Sequence, residues 1–168
     1  MEVSSMVRSG SVIRPYREDD RQALLRLAGR LTVGIAPWRS DAGMRAAAQT
    51  WVETSIAKIG PEGAVFVAEH DGEVVGFGCV LRELAFTGEM QAYIGELAVA
   101  LGAEGKGIGR ALLAAIERWA LEQGLPLLVL DTGAANTRGL RFYARSGFQE
   151  ESVRLTKVLA SDATLGLS

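Results

Sequence analysis

The sequence predicts a single α/β domain: a mixed, mainly antiparallel twisted sheet with helices on both faces. Three observations carry that expectation. Two β-rich runs, "AVFVAE" and "EVVGFGCVL", flank Asp71-Gly72, a dipeptide suited to a two-residue hairpin because the tight turn needs positive φ. Stretches of helical period lie on either side of this meander. The short continuous apolar run "LPLLVLD" (125–131) follows a helix, as expected of a buried strand running parallel to its neighbour. With 168 residues, 48% of them apolar and 23% charged, the chain is long enough for one core of good size.

The elements follow in order. "SVIRPYREDD" reads as a short strand and an acidic turn, with Asp19 or Asp20 placed to cap a helix carrying Leu24, Leu25, Leu27 and Leu31 at helical spacing. "TVGIAPWRSD" is a connector, and Ser40 or Asp41 can cap a second helix running through Ile59. Its apolar stripe is Met44, Ala48, Trp51, Val52 and Ile56, and "GPEG" at 60–63 breaks it. The hairpin comes next, then a third strand, "MQAYIGELAV" (90–99). A glycine-rich loop leads into a helix from about Ile108 to Gly124, with Ile108, Leu112, Leu113, Ile116, Trp119 and Ala120 on one face. After the strand at 125–131, Asn136 opens a short helix through Arg145. "GFQEESVRLTKVL" is expected to supply one or two final strands.

Composition narrows the classes of function. The net charge of −2 argues against a nucleic-acid partner, because phosphate binding needs a concentrated basic surface. One cysteine, Cys79, allows no intramolecular disulfide, and one histidine, His70, leaves no set for a zinc-type metal site. No apolar run approaches the ~18 residues that span a membrane, and the first ten residues lack the apolar core of a signal peptide. The expectation is a cytoplasmic chain with no membrane segment. Residues 11–160 form its domain, and 1–10 and 161–168 are loosely held ends.

The stretch "EGKGIGRALL" (104–113) places Gly105, Gly107 and Gly109 at the start of a helix, although glycine is a poor helix former. A helix N-terminus leaves backbone N–H groups without partners and carries partial positive charge. Glycines let an anion approach those groups closely, so the loop reads as a phosphate cradle between a strand ending at Val99 and a helix. The nucleotide-triphosphate loop is excluded, because Lys106 is followed by Gly107 rather than Ser or Thr. A dinucleotide fingerprint is a weaker alternative. Arg110 stands where its third glycine belongs, although Asp131 ends a strand at a suitable distance.

"ELAVALGAEGKGIGRALL" resembles the acyl-coenzyme A motif of the GNAT N-acetyltransferase superfamily. "NTRGLRFYARSGF" (136–148) resembles that family's second signature, an Asn followed by an aromatic pair and a terminal Gly-Phe. By element order the resemblance covers about Val12 to Leu159. It implies a GNAT-like domain that uses acetyl-CoA as acetyl donor, with no metal. It also implies that residues 104–110 (Glu104, Gly105, Lys106, Gly107, Ile108, Gly109 and Arg110) hold the diphosphate. On the same resemblance, backbone groups of the Leu97-Ala98-Val99 strand meet the pantetheine arm and thioester, and Asn136 fixes that arm or a water as well as capping its helix. Tyr143 then falls where the family's catalytic tyrosine sits, as the acid that protonates the leaving sulfur and contacts the coenzyme. On its own residue context Tyr143 reads as a core aromatic beside Phe142.

Glu104 departs from the family, which has Gln or Arg at that position. It is expected to point outwards, with Lys106 and Arg110 offsetting its charge. Glu96 interrupts the apolar strand just before the cradle and is the candidate general base, acting through a water; a solvated strand residue is the plainer alternative. A base matters because roughly a thousandth of a Lys-like amine is neutral at physiological pH. Trp38 and Arg39 are candidates for acceptor contact, while Cys79 reads as buried and His70 as exposed.

The function expected is transfer of acetyl from acetyl-CoA to a primary amine of a small molecule or peptide, by direct attack in a ternary complex. A non-catalytic acyl-CoA sensor on the same fold and a dinucleotide-dependent oxidoreductase are the alternatives. The resemblance also admits a homodimer, which no sequence feature demands.

Overall fold

The computed structural model describes residues 5–6 and 10–159. Among them one six-stranded sheet runs in strict sequence order: β1 (Ser5–Met6), β2 (Val12–Pro15), β3 (Gly63–His70), β4 (Glu73–Leu84), β5 (Met90–Val99) and β6 (Leu128–Leu130). Every neighbouring pair is antiparallel except β5 and β6, which are parallel. The four helices are α1 (Arg21–Leu27), α2 (Asp41–Ala57), α3 (Ile108–Glu122) and α4 (Thr137–Arg145). The mixed, mainly antiparallel sheet has helices on both faces.

The turn between β3 and β4 takes the form its residues favour, with Asp71 at φ 50° and Gly72 at φ 80°. On one face of the sheet, Leu24 of α1 and Ala48 and Val52 of α2 pack on Val65, Val67, Phe77, Cys79 and Ala98. On the other, Leu112, Leu113 and Ile116 of α3 cover Ile13, Ala68, Val80, Ala92 and Ile94. Helix α3 sits close to β4 because Gly76 and Gly78 face it. A Cβ at Gly78 would lie 2.9 Å from Ile116 Cδ1, and one at Gly76 3.0 Å from the Ala98 carbonyl oxygen. The first helical layer is fixed to β2 by Arg14, whose guanidinium donates to both carboxylate oxygens of Asp20 at 2.7 and 2.8 Å and to Glu69 at 2.8 Å. Ser40 caps α2, its hydroxyl accepting from the Gly43 N–H at 3.1 Å.

Two sequence expectations are corrected. Trp51 is 43% exposed rather than part of the α2 stripe, and Ser55 takes a buried position on that helix. Residues 149–159 form no strand; Val153 and Leu155 stand open to solvent. The β-propensity of that segment has little to act on, because β6, the edge strand beyond β5, is three residues long. At the opposite edge Ser5 and Met6 pair with Ile13 and Val12. The rest of 1–9, and 160–168, lie outside the described residues. Among the described residues no helix is long and apolar enough to cross a membrane.

Candidate active site

Strand β5 ends at Val99, a 3₁₀ turn (Leu101–Ala103) follows, and the glycine loop delivers the chain to α3. Gly105 and Gly107 hold φ of 76° and 81°, a left-handed backbone that a side chain would strain. Gly107 is the N-cap of α3, and the first hydrogen bond into the helix is made by the Ala111 N–H to the Gly107 carbonyl at 3.0 Å. Among the described residues no group accepts a hydrogen bond from the N–H groups of residues 105 to 110. Successive amides around left-handed glycines at a helix N-terminus make a concave array of donors of the kind that suits an anion.

Beside this cradle the sheet opens. The β5–β6 ladder runs from Ala92↔Leu128 to Ile94↔Leu130 and stops, while β5 continues five residues to Val99. A bulge at Gly95 marks the change, since Cys79 pairs with Glu96 but Val80 pairs with Ile94. The extra residue turns the strand over. Ala92 and Ile94 face α3, whereas Ala98 faces α1 and α2. Past the bulge the Ala100 N–H bonds to Val75 of β4, so by the alternation of the ladder the peptide groups of Leu97 and Val99 point to the open edge and those of Ala98 to β4. One of the open groups is already met: Arg30 Nε donates to the Val99 carbonyl at 3.3 Å.

Glu96 lies on the α1/α2 side of this edge and is only 4% exposed. The Ser55 hydroxyl donates to Glu96 Oε2 at 2.8 Å. Burial pushes the Glu96 carboxyl above its ordinary value, against the opposing hydrogen bonds from Ser55 and Cys79. The Cys79 thiol opposite it is fully buried, and its pKa is driven up by that burial and then by the Glu96 charge. Ser55 is the partner that sequence reasoning missed; only its place one turn beyond Trp51 and Val52 on α2 hinted at an inward face.

Tyr143 comes from the other side, on α4. Its ring meets Phe142 and Phe148 edge-on, with centroids 5.2 and 5.6 Å apart. Among the described residues its hydroxyl has no hydrogen-bond partner, and no fully buried side-chain polar atom is left unpaired. The hydroxyl therefore reaches solvent while the ring is packed. Burial raises the phenol pKa, so it stays protonated at neutral pH. Asn136 caps α4, its Oδ1 accepting from the Gly139 N–H at 3.0 Å and its Nδ2 donating to Thr132 Oγ1 at 3.1 Å. One proton of that amide remains for another acceptor. The connector before α2 closes on the same point. A Cβ at Gly34 would lie 2.5 Å from Asn136 Cβ, and one at Gly133 would lie 2.3 Å from the Gly34 carbonyl oxygen.

Glu104 does not point outwards, and neither Lys106 nor Arg110 offsets it. Arg30 Nη2 donates to its Oε1 at 2.6 Å, and Arg138 Nη1 donates to its Oε2. Lys106 and Arg110 are exposed. The two arginines lie 74 and 34 residues away in the chain, so no local pattern marks them. Asp131 accepts from the Tyr93 hydroxyl at 3.3 Å, and burial followed by the Asp131 charge pushes that phenol up to about 12. A sheet with a single parallel pair in simple sequence order is not the doubly wound sheet that a dinucleotide site requires.

A glycine loop at the head of α3, a β5 edge left free where the β6 ladder stops, and an Asn-capped α4 carrying a phenol open to solvent are set on one mainly antiparallel sheet, the architecture of an acetyltransferase fold. Residues 33–148 match the model of the acetyltransferase (GNAT) family, and the chain belongs to that family. The chain is 37% identical over 94 residues to aminoglycoside N(6')-acetyltransferase type 1 of Stenotrophomonas maltophilia, covering 53% of this chain and 61% of that protein. It is 32% identical over 154 residues to the dTDP-fucosamine acetyltransferase of Escherichia coli O6:H1, covering 89% of this chain and 63% of the relative. It is 36% identical over 106 residues to the mycothiol acetyltransferase of Sanguibacter keddieii, where the match spans 61% of this chain and a third (33%) of the relative's length. Among solved structures, a putative acetyl transferase from Pyrococcus furiosus superposes with a TM-score of 0.73 at 23% identity, covering 89% of this chain and 99% of that one. The aminoglycoside N-acetyltransferase AAC(6')-Iy in complex with CoA superposes at 0.66 and 20% identity, covering 94% and 97%. These structures share the fold.

Proposed function

We propose that the chain transfers an acetyl group from acetyl-CoA to a primary amine of a small molecule or peptide, by direct attack while both are bound. The observation that carries this reading is the row of N–H groups from 105 to 110 with no acceptor among the described residues, set at the head of α3 beside an unpaired strand edge. These amides suit a diphosphate, and the open edge suits an amide-bearing arm laid along the peptide groups of Leu97, Ala98 and Val99. The residues present thus fit the coenzyme. Asn136, at the head of α4, keeps one amide proton for the arm or a water.

Acetyl-CoA would supply the acetyl group as a thioester, with coenzyme A released as the thiol when the C–S bond breaks. The chain's own groups handle the protons. Glu96, with a carboxyl raised by burial, takes through a water the proton the amine must lose. Tyr143 gives its phenolic proton toward the departing sulfur. Glu96 lies on the α1/α2 side of the sheet, while Tyr143 packs on Phe142 and Phe148, which sit against the α3 side; this suits acid and base working on opposite sides of one reacting carbon. The relatives named for aminoglycoside and amino-sugar substrates support a small amine as acceptor.

Thiol release from acetyl-CoA, followed across a panel of aminoglycosides, amino sugars, polyamines and peptide amines, tests the proposal. Turnover with at least one class is expected. Coenzyme binding without thiol release for any amine would make the chain a sensor, and absence of coenzyme binding would defeat the reading altogether.

A further inference from the structure

Glu104 stands at the entrance of the cradle with a carboxylate shared by two guanidiniums from separate elements. Both arginines are thereby brought within one residue of the first free amide, that of Gly105. They are held differently. Arg30 has two anchors, Glu104 Oε1 and the Val99 carbonyl, and its side chain is 32% exposed. Arg138 has only Glu104 among the described residues, and its side chain is 71% exposed. An exposed ion pair of this kind is weakly held. Arg138 lies one helical turn before Phe142, so the two share a face of α4. The ring of Phe142 comes within 3.6 Å of where a Cβ at Gly109 would lie, so this face of α4 overhangs the first turn of α3.

Resting on the coenzyme reading above, we propose that Arg138 is a phosphate-binding residue held in reserve by Glu104. When the diphosphate enters the cradle, Arg138 passes from the carboxylate to a phosphate oxygen, while Arg30 remains on Glu104 and Val99. The exchange answers the difficulty of an acid at this position. One guanidinium stays to neutralise Glu104, and the other adds the charge and the forked donor geometry that a phosphate accepts. Glu104 is then a competitor for Arg138 that the ligand must displace, and its charge sets how tightly phosphate-bearing ligands are held.

Calorimetric titration of coenzyme A, alongside pantetheine, which carries no phosphate, tests this on the intact chain. Arg138→Ala is expected to weaken coenzyme A binding about tenfold or more, the scale of a charged hydrogen bond, and to leave pantetheine binding unchanged. Glu104→Gln is expected to act in the opposite sense and tighten coenzyme A by about threefold, because an uncharged amide competes less well for the guanidinium. Equal loss for both ligands in Arg138→Ala, no loss for either, or weaker coenzyme A binding in Glu104→Gln would overturn the exchange. The unaltered chain separates the two ideas. Coenzyme A binding that ignores Arg138 defeats this proposal alone, whereas no binding by the unaltered chain defeats the coenzyme reading and this proposal with it.

Discussion

Replacing Tyr143 by Phe separates a catalytic phenol from a packing aromatic, because the two roles make opposite claims about one oxygen atom. The ring contacts with Phe142 and Phe148, at 5.2 and 5.6 Å, survive the change. The hydroxyl has no protein partner to lose among the described residues, so folding stability should move by no more than about 0.5 kcal/mol. A positioned general acid contributes about 10²–10⁴ in rate, equivalent to about 3–5 kcal/mol of transition-state stabilisation. Tyr143→Phe is therefore expected to reduce kcat for thiol release by at least about a hundredfold, while the melting temperature and coenzyme affinity stay near those of the unaltered chain. A drop in melting temperature of several degrees would assign the hydroxyl a structural partner. An unchanged kcat would remove Tyr143 from the chemistry and leave it as one more aromatic of the α4 cluster.

Gly34→Ala forces a Cβ to within 2.5 Å of Asn136 at a backbone φ of 84°. The left-handed backbone and the clash together should cost about 2 kcal/mol or more. For a chain of this size that lowers the melting temperature by about 4–8 °C, and an unaltered melt would show that the connector does not press on α4. Glu96→Gln removes a charge whose folded pKa is raised above the ordinary 4.5 by burial. The penalty for burying that charge is absent below 4.5, grows as the pH rises, and is complete above the raised value. The variant should thus gain melting temperature over the unaltered chain as pH rises, with no gain in acid. If Glu96 is the base, the variant should also lose the acidic limb of its kcat/KM profile, and a retained limb would assign that proton transfer elsewhere.

What could be read from the sequence was local. Asp71-Gly72 announced its hairpin because two positive φ values in succession leave few residues to choose from. Strand β5 was legible to the residue, as was the turn into α3 at Ile108, whose glycines are a local solution to a local backbone problem. The features that escaped depend on contacts between distant segments. The bulge at Gly95, which turns Glu96 from one face of the sheet to the other, is decided by pairing with β4 and leaves only an imperfect alternation in "YIGELAV". Glu104 was expected to be balanced by its neighbours Lys106 and Arg110, yet two arginines from other elements hold it. Trp51 fits the helical period of α2 but faces solvent, while Ser55 faces inward because a buried carboxylate needs a donor there. The segment after Phe148 has strand-like residues and no ladder, since alternation cannot supply a partner edge.

Backbone amide NMR during titration with coenzyme A tests the cradle most directly. The N–H resonances of Gly105, Lys106, Gly107, Ile108, Gly109 and Arg110 should move downfield together as they gain an anionic acceptor, with smaller changes at Leu97 and Val99. Saturation of the coenzyme with those six resonances unmoved would place the diphosphate elsewhere and contradict the account.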